Sequence, residues 1–319
     1  MLIGHEEPWR EWRDAREGSR MHHGWIFAGR RGLGKMQFAL KAARDLVTQP
    51  GIPQPENDHP DIIVLTHLPK DDKEEKKRQD GKPYEVKRNI AISQIRTMQQ
   101  RLNTRPTLGD RRAIIIDPAD DLETGAANAL LKSLEEPPQG TFFLLVAHRP
   151  AQLLPTIRSR CRMLRFPTLT DADMARLLAD LAPHVDENGR QAALAAANGS
   201  PGMALDFVER ELGAIDRLMR EIVSGGDRDF SLRGKLAEAI GNRPDRARMQ
   251  AILDLARSVL AREIEDPQIE HIPAIVDGHS RLVTLAGQAP TYNFDPGLLI
   301  MEIGGLLASA APPRERANV

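Results

Sequence analysis

The segment Gly29-Arg30-Arg31-Gly32-Leu33-Gly34-Lys35-Met36 constrains the fold of this chain more than any other stretch. It follows the apolar run Trp25-Ile26-Phe27-Ala28 and precedes a segment in which Phe38, Ala39, Ala42, Ala43 and Leu46 recur at helical spacing. Strand, glycine turn and helix, in that order, aim successive backbone N–H groups and a helix N-terminus at one point. The result is a cradle for a polyphosphate, with Gly29, Gly32 and Gly34 forming the turn and Lys35 standing at its outer end. The spacing G-x-x-x-x-G-K is complete. The next position calls for a Ser or Thr hydroxyl to hold magnesium, and Met36 stands there instead.

The remainder of the first half repeats the strand-and-helix alternation. Short apolar runs occur at Ile62 to Leu65, Ala113 to Ile116, Phe142 to Ala147 and Met163 to Phe166, which with Trp25 to Gly29 makes five. The intervening segments are long enough for helices, as at Ile92 to Leu102 and at Gly125 to Glu136, where Pro137-Pro138 forces a stop. Strands separated by helical crossovers imply an α/β fold, a parallel sheet covered on both faces. Residues 8–20 carry Trp9, Trp12 and Ala15 at helical spacing, an aromatic face for the sheet domain. The charged segment Lys70 to Lys87 mixes both signs and reads as a solvated loop or hairpin. Beyond Pro167 the pattern is helical throughout, opening with a cap at Thr170 and breaking at Gly199-Ser200-Pro201-Gly202. The expected domains are therefore 1–167, 168–208 and 209–319, the last a helical bundle whose tail from Pro312 is frayed.

With 319 residues and a net charge of −1, the chain has room for several cores and no global field that favours nucleic acid or membrane. Its single cysteine, Cys161, excludes a disulfide framework and a four-cysteine zinc site, and His22-His23 lack further ligands, so no metal site is expected. No apolar run approaches the roughly 20 residues of a membrane span. The N-terminal MLIGHEEPWREW is not basic-then-apolar, and the expectation is a cytoplasmic protein.

A working P-loop nucleotidase needs an acid at the end of a neighbouring strand and a second carboxylate to polarise water. Asp117, after Ala113 to Ile116, suits the first task. Pro118 occupies the place of the second, and Asp120 reads as a helix cap. Arg160, just ahead of the last strand, is either a solvated charge or a guanidinium able to reach a partner's γ-phosphate. Cys161 reads as a small buried thiol.

Taken together, HHGWIFAGRRGLGK at 22–35, ANALLKSLEEPP at 127–138, FFLLVAHRPAQLLPTIRSRC at 142–161 and NGSPGMAL at 198–205 resemble the delta-prime family of bacterial DNA polymerase III clamp-loader subunits, within the AAA+ superfamily. The resemblance covers about the first two thirds of the chain. It implies a RecA-like AAA+ nucleotide domain, a small helical lid and an all-helical collar that assembles with gamma/tau and delta subunits in a five-membered ring. It further implies work on a sliding clamp and primer-template DNA, and gives Arg160 the role of a finger for a neighbour's ATP site. Against the family's motor subunits, Met36 replaces the magnesium-binding hydroxyl, Pro118 the glutamate, Ala147-His148 a threonine pair that senses the γ-phosphate, and Gly202 a lid arginine. These departures imply a subunit that does not hydrolyse ATP and requires no cofactor, with the Gly29, Gly32, Gly34, Lys35 and Asp117 site left to hold ATP or ADP weakly at most. Two alternatives stand beside this reading: an active gamma/tau-like ATPase of the same fold, and a small-molecule kinase built on a P-loop.

Overall fold

The computed structural model describes residues 4–18, 21–264, 271–289, 292 and 294–312. It divides into two compact units, 1–168 and 169–319.

In the first unit the chain runs α1 (Glu6–Glu17), β1 (Gly24–Ala28), α2 (Lys35–Val47), β2 (Ile62–Leu65), α3 (Asp72–Gln79), α4 (Ile92–Leu102), β3 (Arg112–Ile116), α5 (Thr124–Glu135), β4 (Thr141–Ala147), α6 (Pro155–Arg158) and β5 (Arg162–Arg165). The five strands form one sheet in the order β2-β3-β4-β1-β5, and every pairing is parallel. Ile26 of β1 lies opposite Leu145 of β4 on one side and Met163 of β5 on the other.

Alternation along the strands supplies two apolar faces. Ile26, Ala28, Ile114, Ile116, Phe143 and Leu145 pack with Ile95 and Met98 of α4 and Ala126 and Leu130 of α5. Trp25 and Phe27 point the other way, where the Trp12 ring of α1 meets both edge-on at 5.3 and 5.9 Å and Phe38 of α2 meets Phe27 at 5.2 Å. Full burial of β1, β3 and most of β4 follows from helices on both faces, the condition under which a parallel sheet is stable.

The charged segment after Leu68, expected as a solvated loop or hairpin, also carries the short helix α3. Asp71 accepts the Glu74 N–H at 3.0 Å as an N-cap, and α3 then carries Lys77–Glu74 and Arg78–Glu75 ion pairs at 2.7 and 2.6 Å. A short antiparallel bridge, Pro69 to Val86, closes the excursion.

In the second unit come α7 (Asp171–Leu181), α8 (Glu187–Ala197), α9 (Pro201–Glu209), α10 (Gly213–Gly225), α11 (Ser231–Ile240), α12 (Arg246–Glu263), α13 (Ile272–Gln288) and α14 (Pro296–Ser309). Thr170 caps α7 by accepting the Asp173 N–H at 3.2 Å. Helix α12 is the centre of the unit, buried over Ile252, Leu253, Ala256, Val259 and Leu260, and its Ser258 hydroxyl donates to the Ala196 carbonyl of α8 at 2.6 Å. Among the described residues no strand follows β5, and no helix is long and apolar enough to cross a membrane. The tail expected to fray lies, from 313 on, outside the described residues.

Candidate functional site

At the carboxyl ends of β1, β3 and β4 the chain brings together the loop Gly29–Gly34, Asp117 and His148. An open parallel sheet places ligands at this edge, in the crevice where successive crossovers diverge.

The loop is built around close approach. A Cβ on Gly29 would lie 2.7 Å from the Phe166 carbonyl oxygen, so any larger residue would push β1 away from the chain beyond β5. Gly32 and Gly34 have φ of 81° and 73°, and Gly34 is the N-cap of α2. Lys35 is 3% exposed. Its ammonium donates to the Gly29 and Arg30 carbonyls at 2.7 and 2.5 Å, so the cation closes on the carbonyls of its own loop. Burial pulls its pKa down to about 8, against the opposing pull of Asp117 and Asp120. From the N-terminal side, His5 Nε2 bonds the Leu33 carbonyl and its ring meets Phe166 edge-on at 5.0 Å.

Asp117 leaves β3 with its N–H on the Leu65 carbonyl at 3.0 Å. Burial raises the pKa of its carboxyl, with Lys35 the chief opposing charge. The next residue, Pro118, has no side-chain base. Asp120 is not the helix cap expected from the sequence. It lies inside a 3₁₀ turn, Ala119–Asp121, and reaches across to β4, where Oδ2 accepts the His148 and Arg149 N–H groups at 2.7 and 3.0 Å. The turn is too short to need a side-chain cap, whereas the loop leaving β4 has two donors without strand partners. Asp121 meets Arg149 Nη2 at 3.3 Å and His67 Nε2 at 3.2 Å.

His148 stands where β4 ends. Burial, reinforced by Lys35 and Arg31, pushes its pKa down to about 3, so it is a neutral ring at physiological pH. Its Nδ1 and the Asp120 Oδ1 are buried without hydrogen-bond partners. The edge therefore offers glycine turns and a lysine that suit phosphate oxygens. Met36 brings a thioether and no hydroxyl to the next position, so the residues present do not fit a catalytic magnesium ion.

Arg160 lies at the opposite edge. It precedes β5, whose residue Arg162 pairs with Trp25 near the start of β1, whereas the glycine loop follows the end of β1. Five strand residues separate the two, about 16 Å at 3.3 Å each. Its guanidinium donates from Nη1 to the Thr156 carbonyl at 3.0 Å and meets Glu135 with Nη2 at 2.6 Å. Sequence reading did not single out Glu135; its place in the run ANALLKSLEEPP was the available signal. The neighbouring Cys161 thiol is pushed up to about 12 by burial, which makes it inert. Gly202 is in the first turn of α9, in the second unit.

Residues 4–170 match the sequence profile of a family described as "DNA polymerase III, delta subunit". The chain is 30% identical over 208 residues, 61% of its length, to the DNA polymerase III subunit delta' of Pseudomonas aeruginosa, of which the match covers 58%. Against the subunit of the same name from Escherichia coli K12 it is 36% identical over 123 residues, 39% of this chain and 36% of the relative. The matches thus span less than two thirds of these relatives. A solved DNA polymerase III gamma subunit-related protein of Thermotoga maritima superposes with a TM-score of 0.50 at 17% identity, over 95% of this chain and 99% of the other, a likeness of fold.

Proposed function

We propose, from the premise that this chain belongs to the DNA polymerase III delta-subunit family and is of its delta-prime type, an AAA+ subunit that works in a clamp loader without hydrolysing ATP itself. In this reading it joins gamma/tau and delta subunits in a five-membered ring, helps to open or hold the sliding clamp and to guide primer-template DNA, and acts in the cytoplasm. Residues 168–208 serve as the lid and 209–319 as the collar through which the ring assembles. The chain's own cradle holds ATP or ADP weakly at most. Its contribution to chemistry is Arg160, offered to the ATP site of the adjoining motor subunit, where a finger supplied in trans is worth about 10³ to 10⁵ in rate.

The observation that carries this reading is the separation of the two cations across the sheet. Lys35 is buried in its own loop beside Met36 and Pro118, and Arg160 sits a strand's length away at the other edge, out of reach of that loop. An arginine so placed is out of reach of its own subunit's cradle, which supports a role at a neighbour's site.

The test is assembly. Mixing the chain with gamma/tau and delta subunits from its organism should give one stoichiometric complex in size-exclusion chromatography with multi-angle scattering, able to load clamps on primed DNA. ATP turnover by the chain alone, abolished by Lys35→Ala, would favour the motor reading and overturn this one.

A further inference from the structure

We propose that Glu135 is the positioning residue for Arg160, holding the guanidinium folded back on its own subunit until the phosphate of the adjoining site displaces the carboxylate. The inference rests on Arg160 acting in trans and adds the group that controls it.

The two residues come from different elements and meet because both are anchored at the entrance of β1. Helix α5 ends at Glu135, ahead of Pro137-Pro138, and the Leu134 carbonyl beside it is bonded by His23 Nε2 at 2.9 Å. A carbonyl in the last turn of a helix has no partner within it, so this bond fixes the turn from which Glu135 projects. On the other side a Cβ on Gly24 would lie 3.0 Å from both the Arg160 carbonyl and Cys161 Sγ, so strand β1 presses directly on the arginine's backbone. The carboxylate and guanidinium then meet at 2.6 Å while Nη1 returns to the Thr156 carbonyl, four residues back. An arginine bonded to its own i−4 carbonyl is curled along its own segment; a finger that crosses an interface must uncurl.

Exposure settles which way the contact works. The two side chains are 35% and 49% exposed, and an ion pair that open to water adds little to the stability of a fold. It is, however, strong enough to bias one rotamer and weak enough to give way to phosphate oxygens, which can take bidentate, charge-assisted bonds with greater charge. Glu135 thus competes with nucleotide for Arg160.

Removing the competitor without changing shape should tighten the neighbour's hold on ATP. In a loader reconstituted with Glu135→Gln, the ATP concentration that half-saturates DNA-stimulated turnover is expected to fall about two- to five-fold, with kcat at or above that of the parent. A general loss of structure would lower kcat and would not lower this concentration. Glu135→Gln that leaves half-saturation unchanged, or that lowers kcat, overturns the proposal. An Arg160→Ala loader run alongside separates the two claims. If it keeps full turnover, the finger assignment fails and takes Glu135 with it; if it loses turnover while Glu135→Gln leaves half-saturation unmoved, the role of Glu135 alone is refuted.

Discussion

The loop after β1 and the loop before β5 flank the same pair of neighbouring strands and present the same kind of group, a cation, under opposite conditions. Lys35 is enclosed, its ammonium on two carbonyls of its own loop and its charge disfavoured by burial. Arg160 is open, held by a carboxylate that solvent also reaches. A cation buried against backbone acceptors is committed to its own loop; a cation in a weak, exposed pair can be transferred to another partner. Lys35 is held within its own loop at one end of β1, and Arg160 lies beside the other end.

The isolated chain allows this contrast to be tested. The largest effect concerns Cys161, which shows how firmly the backbone beside Arg160 is packed. With its thiol pushed up to about 12, alkylation at pH 8 should run about 10²- to 10³-fold slower than in the unfolded chain; a native-state rate matching the unfolded one would show the arginine loop to be loose.

Lys35 comes next. Its pKa falls from 10.5 in the unfolded chain to about 8 in the fold, so between those values the unfolded state binds the more protons and stability rises with pH. Relative to Lys35→Met, the parent should gain about 3 kcal/mol of unfolding free energy from pH 7 to pH 10.5, read from urea melts at each pH. Parallel curves for the two proteins would mean that the ammonium is solvated, and the contrast with Arg160 would disappear.

Gly29→Ala forces a methyl group against the Phe166 carbonyl and should cost about 1 to 3 kcal/mol in the same melts. Gly24→Ala meets the Arg160 carbonyl and Cys161 Sγ at 3.0 Å and should cost about 1 kcal/mol, the smallest of these effects, while freeing Cys161 to label faster. A neutral Gly24→Ala would remove β1 as the support of the Arg160 backbone.

Much of the fold was legible because strand burial is written directly in apolar runs. Ile62–Leu65 was read to the residue, and the other strands to within one or two at an end. The α3 helix was missed because its support is electrostatic. It has no apolar stripe, and its signal was the Asp71 cap and charges paired three apart, a pattern indistinguishable at first sight from a solvated run. The site was legible where local spacing defines it, at Gly29 to Lys35 and at Asp117. It was not legible where side chains cross between strands. Asp120 reaches the N–H groups after β4, and Glu135 reaches Arg160 from 25 residues away in the chain. Neither contact has a sequence period, since each depends on which strand ends the sheet order makes neighbours.

The claim that the active charge of this chain works in another subunit is tested most directly by DNA-stimulated ATP turnover in a loader reconstituted with Arg160→Ala. The variant is expected to assemble with normal stoichiometry and to lose turnover at the adjoining site by about 10³-fold. Normal assembly with unchanged turnover would contradict it.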